Sequence, residues 1–109
     1  MVYYTFLKNF FLLILFNLLI PIVNIEKGEN LFIQNCSVCH IEGSNVIISE
    51  KNLKQETLKE NGMYSIDAIS YQIINGKNGM PAFGGRLSSE EVNSIAKYVL
   101  EKAENNFEK

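Results

Sequence analysis

Both cysteines and the only histidine of the chain fall within five positions, Cys36-Ser37-Val38-Cys39-His40. Four chemistries use thiol and imidazole at this spacing: a structural zinc site, a redox dithiol, a disulfide and a covalently held haem. Structural zinc takes four ligands, and two cysteines with one histidine leave the set a ligand short. A thioredoxin-type dithiol expects a βαβ setting. A disulfide across so short a loop constrains little of the unfolded chain and gives His40 no role. The spacing Cys-x-x-Cys-His is the c-type haem attachment pattern. Residues three apart on a helical turn share a face. Cys36 and Cys39 can then both form thioethers along one edge of a porphyrin, and His40 presents a nitrogen to iron from beneath the ring. Haem c is the favoured reading, and the other three stay open as minor ones.

The sixth position on iron separates a carrier from a gas-binding or peroxide-activating protein. Methionine there saturates the metal, raises the potential and suits electron transfer. Beyond the motif only Met63 and Met80 are available. Met63 follows Gly62 at a predicted helix end and reads as a gap-filling core residue. Met80 lies in a glycine-rich loop and precedes Pro81, which limits backbone freedom beside it. Met80 is the expected ligand.

These residues need elements to place them. "NIEKGENLFIQNC" puts Ile25, Gly28, Leu31, Phe32 and Asn35 at helical spacing. Gly28 in mid-helix is either a tolerated defect or a point where another helix passes close. "VIISEKNL" is too short and broken to assign. "KQETLKEN" makes about two helical turns, closed by Gly62. "SIDAISYQIIN" reads as a helix with Ser65 as N-cap, Asp67 in its first turn, Ile66, Ile69 and Ile73 on one face, and Gly76 at its close.

Residues 76–87 form a loop with four glycines and one proline, yet it carries Met80, Pro81, Phe83 and Leu87, which need something apolar to cover. "SSEEVNSIAKYVLEKAE" is the strongest helix. Ser88 and Glu91 make a capping box, and Val92, Ile95, Ala96, Val99, Leu100 and Ala103 make the stripe. No strand pattern or internal repeat is evident, so an all-α domain is expected. The first and last helices bury each other's stripes most simply by packing together, with Gly28 near Tyr98.

Of the chain's residues 47% are hydrophobic, a figure raised by "FFLLILFNLLI" at residues 10–20, which follow Lys8. A basic residue and then a short apolar run reads as a secretory signal over 1–23, short for a membrane span. "PIVNIE" lacks the small residues of a cleavage site, so an uncleaved anchor stays open. The domain is placed at 24–109. It carries nine basic and twelve acidic residues, a net charge of −3. No basic patch for nucleic acid is present. About 85 residues make a small core that gains from a staple.

Cys36-Ser-Val-Cys-His40, "GSNVI", "YQIINGKNGMPAFGGRLSSEEV" and "AKYVL" together resemble cytochrome c6, also called cytochrome c-553. This is the small soluble class I c-type cytochrome of algae and cyanobacteria. The likeness runs from about residue 24 to 104, and Met-Pro-Ala-Phe-Gly-Gly-Arg-Leu is its most specific part.

The resemblance implies about four helices around one haem. It also implies a one-electron carrier, not an enzyme, that runs in the thylakoid lumen from the cytochrome b6f complex (through cytochrome f) to photosystem I. It places the axial ligands on His40 and Met80, the thioethers on Cys36 and Cys39, and a potential-tuning glutamine on Gln72. It further places a docking arginine on Arg86, a lysine near the haem propionates on Lys51, and pocket-lining residues on Asn45 and Leu53. A monomer is expected, free of the membrane once the leader is removed.

Gly79 stands where the family commonly has alanine, an exchange expected to loosen the loop before Met80. Abundant Ile, Asn and Lys point to an AT-rich, plastid-encoded gene. Besides a non-haem redox dithiol, two rivals remain at this stage. One is a respiratory or bacterial cytochrome serving an oxidase. The other is a haem sensor or peroxidase with a displaceable Met80.

Overall fold

The computed structural model describes residues 25–109. The leader over 1–23, with Asn24, lies outside the described residues. Residues 25–35 form helix α1, and after a turn at Cys36 the single-turn α2 covers Ser37–His40. Two 3-10 turns follow, Ile41–Gly43 and Ser49–Lys51. Then come α3, Gln55–Glu60, α4, Ile66–Asn75, and α5, Ser89–Glu104. Four multi-turn helices and one haem-motif turn match the expected all-α architecture.

Local chemistry sets the helix ends. The Ser65 hydroxyl accepts from the Ala68 amide to start α4. Ser88 and Glu91 complete the capping box of α5: the Ser88 hydroxyl accepts from the Glu91 amide at 3.1 Å, and the Glu91 carboxylate accepts from the Ser88 amide at 2.9 Å. The Ser88 amide, and secondarily its hydroxyl, hold the Glu91 carboxyl below the ordinary glutamate range. Gly62 closes α3 at φ 67, and the Met63 amide reaches back to the Leu58 carbonyl at 2.7 Å. Only a residue at ease in the left-handed region completes such a close.

The core is where the apolar stripes meet. Phe32 of α1, Ile69 and Ile73 of α4, and Val92, Ile95, Ala96, Val99 and Ala103 of α5 are buried together. Gly28 resolves its two readings in favour of close approach. A β-carbon there would lie 2.9 Å from Tyr98 Cβ and would strike the Ser94 carbonyl oxygen. The mid-helix glycine, which costs about 1 kcal/mol against alanine, is what lets α1 cross α5. The aromatic stack beside that crossing joins Phe32 and Tyr98, with ring centroids 5.3 Å apart.

Candidate haem site

The Cys36 carbonyl accepts from both the Cys39 amide, at 3.2 Å, and the His40 amide, at 2.9 Å. The backbone from 36 to 40 is therefore one tight helical turn, as the same-face argument for the two cysteines requires. The two are not joined in a disulfide. Burial, and secondarily the nearby Cys39, push the Cys36 thiol up to about 11.

His40 is oriented by one contact. Its Nδ1 lies 2.9 Å from the Ser44 carbonyl oxygen, an acceptor that requires Nδ1 to carry the proton. Nε2 is left as the ring's lone-pair donor. A carbonyl behind an imidazole fixes its tautomer and rotation in the manner of a metal ligand's outer partner. Ser44 is itself held by its amide and hydroxyl on the Ile41 carbonyl, at 2.9 and 2.6 Å.

Met80 comes from the loop 76–87, which is more ordered than its glycines suggest. Lys77 and Met80 exchange both backbone hydrogen bonds, at 3.0 and 2.9 Å. Between them Asn78 and Gly79 have φ of 47 and 92. Two positive φ values inside a doubly bonded pair, at Asn-Gly, make a tight mirror-image turn. Gly79 was expected to loosen the loop. It instead occupies a left-handed position that alanine would strain, and so tightens the turn before Met80. Further on, the Phe83 and Gly84 amides donate to the Ile73 and Ile74 carbonyls at the end of α4, at 2.9 and 3.1 Å. The loop thereby satisfies groups that a helix end leaves open.

These parts enclose one cavity of about 350 Å³. Cys36, Cys39, His40 and Met80 all line it, with Asn45, Lys51, Leu53 and Gln72. Phe32, Leu58, Ile69, Ile73, Ile95 and Val99 supply apolar wall. Gln72 Nε2 donates toward the Met80 sulfur at 3.9 Å. Lys51 Nζ donates to Asn61 Oδ1 at 2.7 Å, and Asn61 also lines the cavity. Asn45 is a turn-former: its side-chain oxygen accepts from the Ile47 and Ile48 amides, and its amide group donates to the Lys51 carbonyl.

Arg86 stands apart from the lining, its guanidinium 4.6 Å from the Phe83 ring centroid. Met63 packs on the core as expected and also lines the cavity. Ser44, Asn61 and Lys77 join the site without having been singled out in the sequence. Two thiols on one turn, an imidazole with a free nitrogen, a thioether and an apolar wall fit a covalently attached haem.

Residues 23–99 match the family model described as cytochrome c oxidase, cbb3-type, subunit III, a c-type cytochrome domain. Closer likenesses decide the branch. A cytochrome c6 of Bumilleriopsis filiformis is 51% identical over 85 residues, covering 78% of this chain and 99% of that protein. The chain belongs to the cytochrome c6 family. A cytochrome c6 of Gracilaria tenuistipitata is also 51% identical, over 77% of this chain and 78% of that one. The crystal structure of cytochrome c6 from the diatom Phaeodactylum tricornutum superposes with a TM-score of 0.73 at 46% identity, covering 75% of this chain and 97% of that one. As a cytochrome c6, the chain is a photosynthetic electron carrier with one haem held through Cys36 and Cys39, and not an enzyme.

Proposed function

We propose that this chain takes single electrons from the cytochrome b6f complex and delivers them to photosystem I in the thylakoid lumen. In this reading a leader over 1–23 is removed and residues 24–109 act as a soluble monomer. One observation carries the site: His40, locked through Nδ1 to Ser44, lines the same cavity as Met80.

The haem, when bound, supplies reversible one-electron chemistry at iron. The residues of the chain do the rest. His40 Nε2 and the Met80 sulfur would hold the iron from the two walls of the cavity. The paired backbone of residues 77 and 80 keeps Met80 in place, which leaves little room for a gas or peroxide. Gln72 directs the positive end of its amide at the sulfur. Lys51, steadied by Asn61, would offer its ammonium to the haem propionates.

Electron entry and exit need an accessible edge. Val38, 81% exposed, and Ile47, 59% exposed, both line the cavity and offer a small apolar contact. Lys51 and Lys77 line it too, and among the described residues no Asp or Glu does. A net-acidic protein thus presents a locally basic mouth, with Arg86 close to it in sequence as a docking contact. Such a face favours brief, salt-sensitive encounters with an acidic partner surface, of less than about 1,200 Å².

Met80→Ala tests the ligand assignment. The oxidised variant should lose the weak sulfur-to-iron(III) absorption band and its potential should fall, since methionine ligation raises it. Survival of the band would remove Met80 from the ligand set.

A further inference from the structure

The chain does not stop at the end of α5. The Asn106 amide donates to the Ala103 carbonyl at 3.0 Å, and the Phe107 amide to the Lys102 carbonyl at 2.8 Å. With Asn106 at φ 57, this is the paired closing motif of a helix C-terminus, asparagine taking glycine's usual place. It turns Phe107 back onto the domain, where it is only 9% exposed. The Phe107 ring packs on Phe32 at 6.0 Å and edge-on to Tyr98 at 6.5 Å.

The Phe107 ring also lies directly over Gly43, where a β-carbon would come within 2.6 Å of its Cγ. Beside it the Asn106 side-chain oxygen accepts from the Gln55 amide at 3.2 Å, at the exposed start of α3. The hook therefore touches both ends of one segment, residues 43–55. That segment is already closed on itself by the Leu53 amide donating to the Gly43 carbonyl at 2.7 Å. It carries Ser44, whose carbonyl holds His40 Nδ1, and the cavity-lining Asn45, Lys51 and Leu53.

We propose that Phe107 and Asn106 are positioning residues: a C-terminal clasp that fixes Gly43 and Ser44 and through them the rotation of the His40 ring at iron. The proposal rests on His40 being an axial ligand. Packed cores have discrete arrangements rather than continuous give. A void left above Gly43 therefore lets the 43–44 backbone shift, and the Nδ1 contact shifts with it. Phe107 acts through contact with backbone, so ring bulk matters and its polarity does not.

The test uses the oxidised, haem-loaded protein, followed by proton NMR. Phe107→Ala should move the hyperfine-shifted haem-methyl and His40 resonances. It should also speed exchange of the His40 Nδ1 proton at least about tenfold, the factor that loss of roughly 1.4 kcal/mol of protection gives. The sulfur-to-iron(III) band should remain. Phe107→Tyr should restore the wild-type spectrum.

A lower melting temperature with unchanged shifts and exchange would show Phe107 to be core filling and overturn the clasp. If Phe107→Ala does not retain a folded haem protein, Phe107→Leu carries the same comparison under the same two outcomes. Failure of the ligand reading looks different: the wild-type protein itself would then show no hyperfine-shifted imidazole, and the clasp would fall with it.

Discussion

Gln72 sits one hydrogen bond from the Met80 sulfur, so on the proposed ligation it acts on the electronics of the iron at the scale of a single residue. A donor on sulfur draws electron density from the ligand and favours the reduced state. Gln72→Leu should therefore lower the midpoint potential. A net hydrogen bond of about 1 kcal/mol corresponds to roughly 40 mV for one electron, and a redox titration followed optically reads it. A rise in potential would mean that removing polarity from the wall outweighs the lost donor.

At this scale the sequence was legible where chemistry narrows the choice. Thiols and imidazole at fixed spacing have few uses, and attachment through Cys36 and Cys39 follows from them. Ser44 was not legible, because it contributes a carbonyl that every residue possesses. Phe107 was not, because its partners are Gly43 and Phe32, and Asn106 pairs with a residue 51 positions away. The available signal was an asparagine followed by an aromatic just past a helix end.

Among the elements, α5 shows how a local signal became a structural constraint. Its capping box was readable from Ser88 and Glu91, and both reciprocal bonds are made. The backbone and hydroxyl of Ser88 hold the Glu91 carboxyl below its ordinary value. A lowered native value means stabilisation present above the unfolded-state value and lost as pH falls through the native one. Glu91→Gln should thus be less stable than the parent at neutral pH, and the gap should close in strong acid. Chemical denaturation of both proteins across the acid range measures it. A gap independent of pH would show that the carboxylate charge is irrelevant to the cap.

The loop 76–87 is the contrasting element. Its glycine content suggested looseness, but periodicity and composition do not reveal which carbonyls a loop will satisfy. Paired bonds at Lys77 and Met80, and amides donated to the end of α4, make it a rigid bracket for the sulfur. The crossing at Gly28 lies between these cases. The glycine was visible, but its meaning required the Ser94 carbonyl and the Tyr98 Cβ of the partner helix.

For the whole molecule, a small core gains its staple from the cofactor it encloses. The cavity lies among α1, α4, α5 and the 76–87 loop, so a bound haem would complete the packing there. The fold was legible because four amphipathic or capped segments and one attachment motif admit few arrangements. The charge pattern was not, since a net charge of −3 conceals a cavity mouth carrying Lys51 and Lys77 without a carboxylate.

Function at this scale is transfer between two larger partners. The most direct measurement is flash spectroscopy of photosystem I mixed with the reduced protein. A donor role predicts that the flash-oxidised reaction centre is re-reduced at a rate that rises with protein concentration and changes with ionic strength. Re-reduction no faster than in the absence of the protein, at every concentration and salt level, would contradict it.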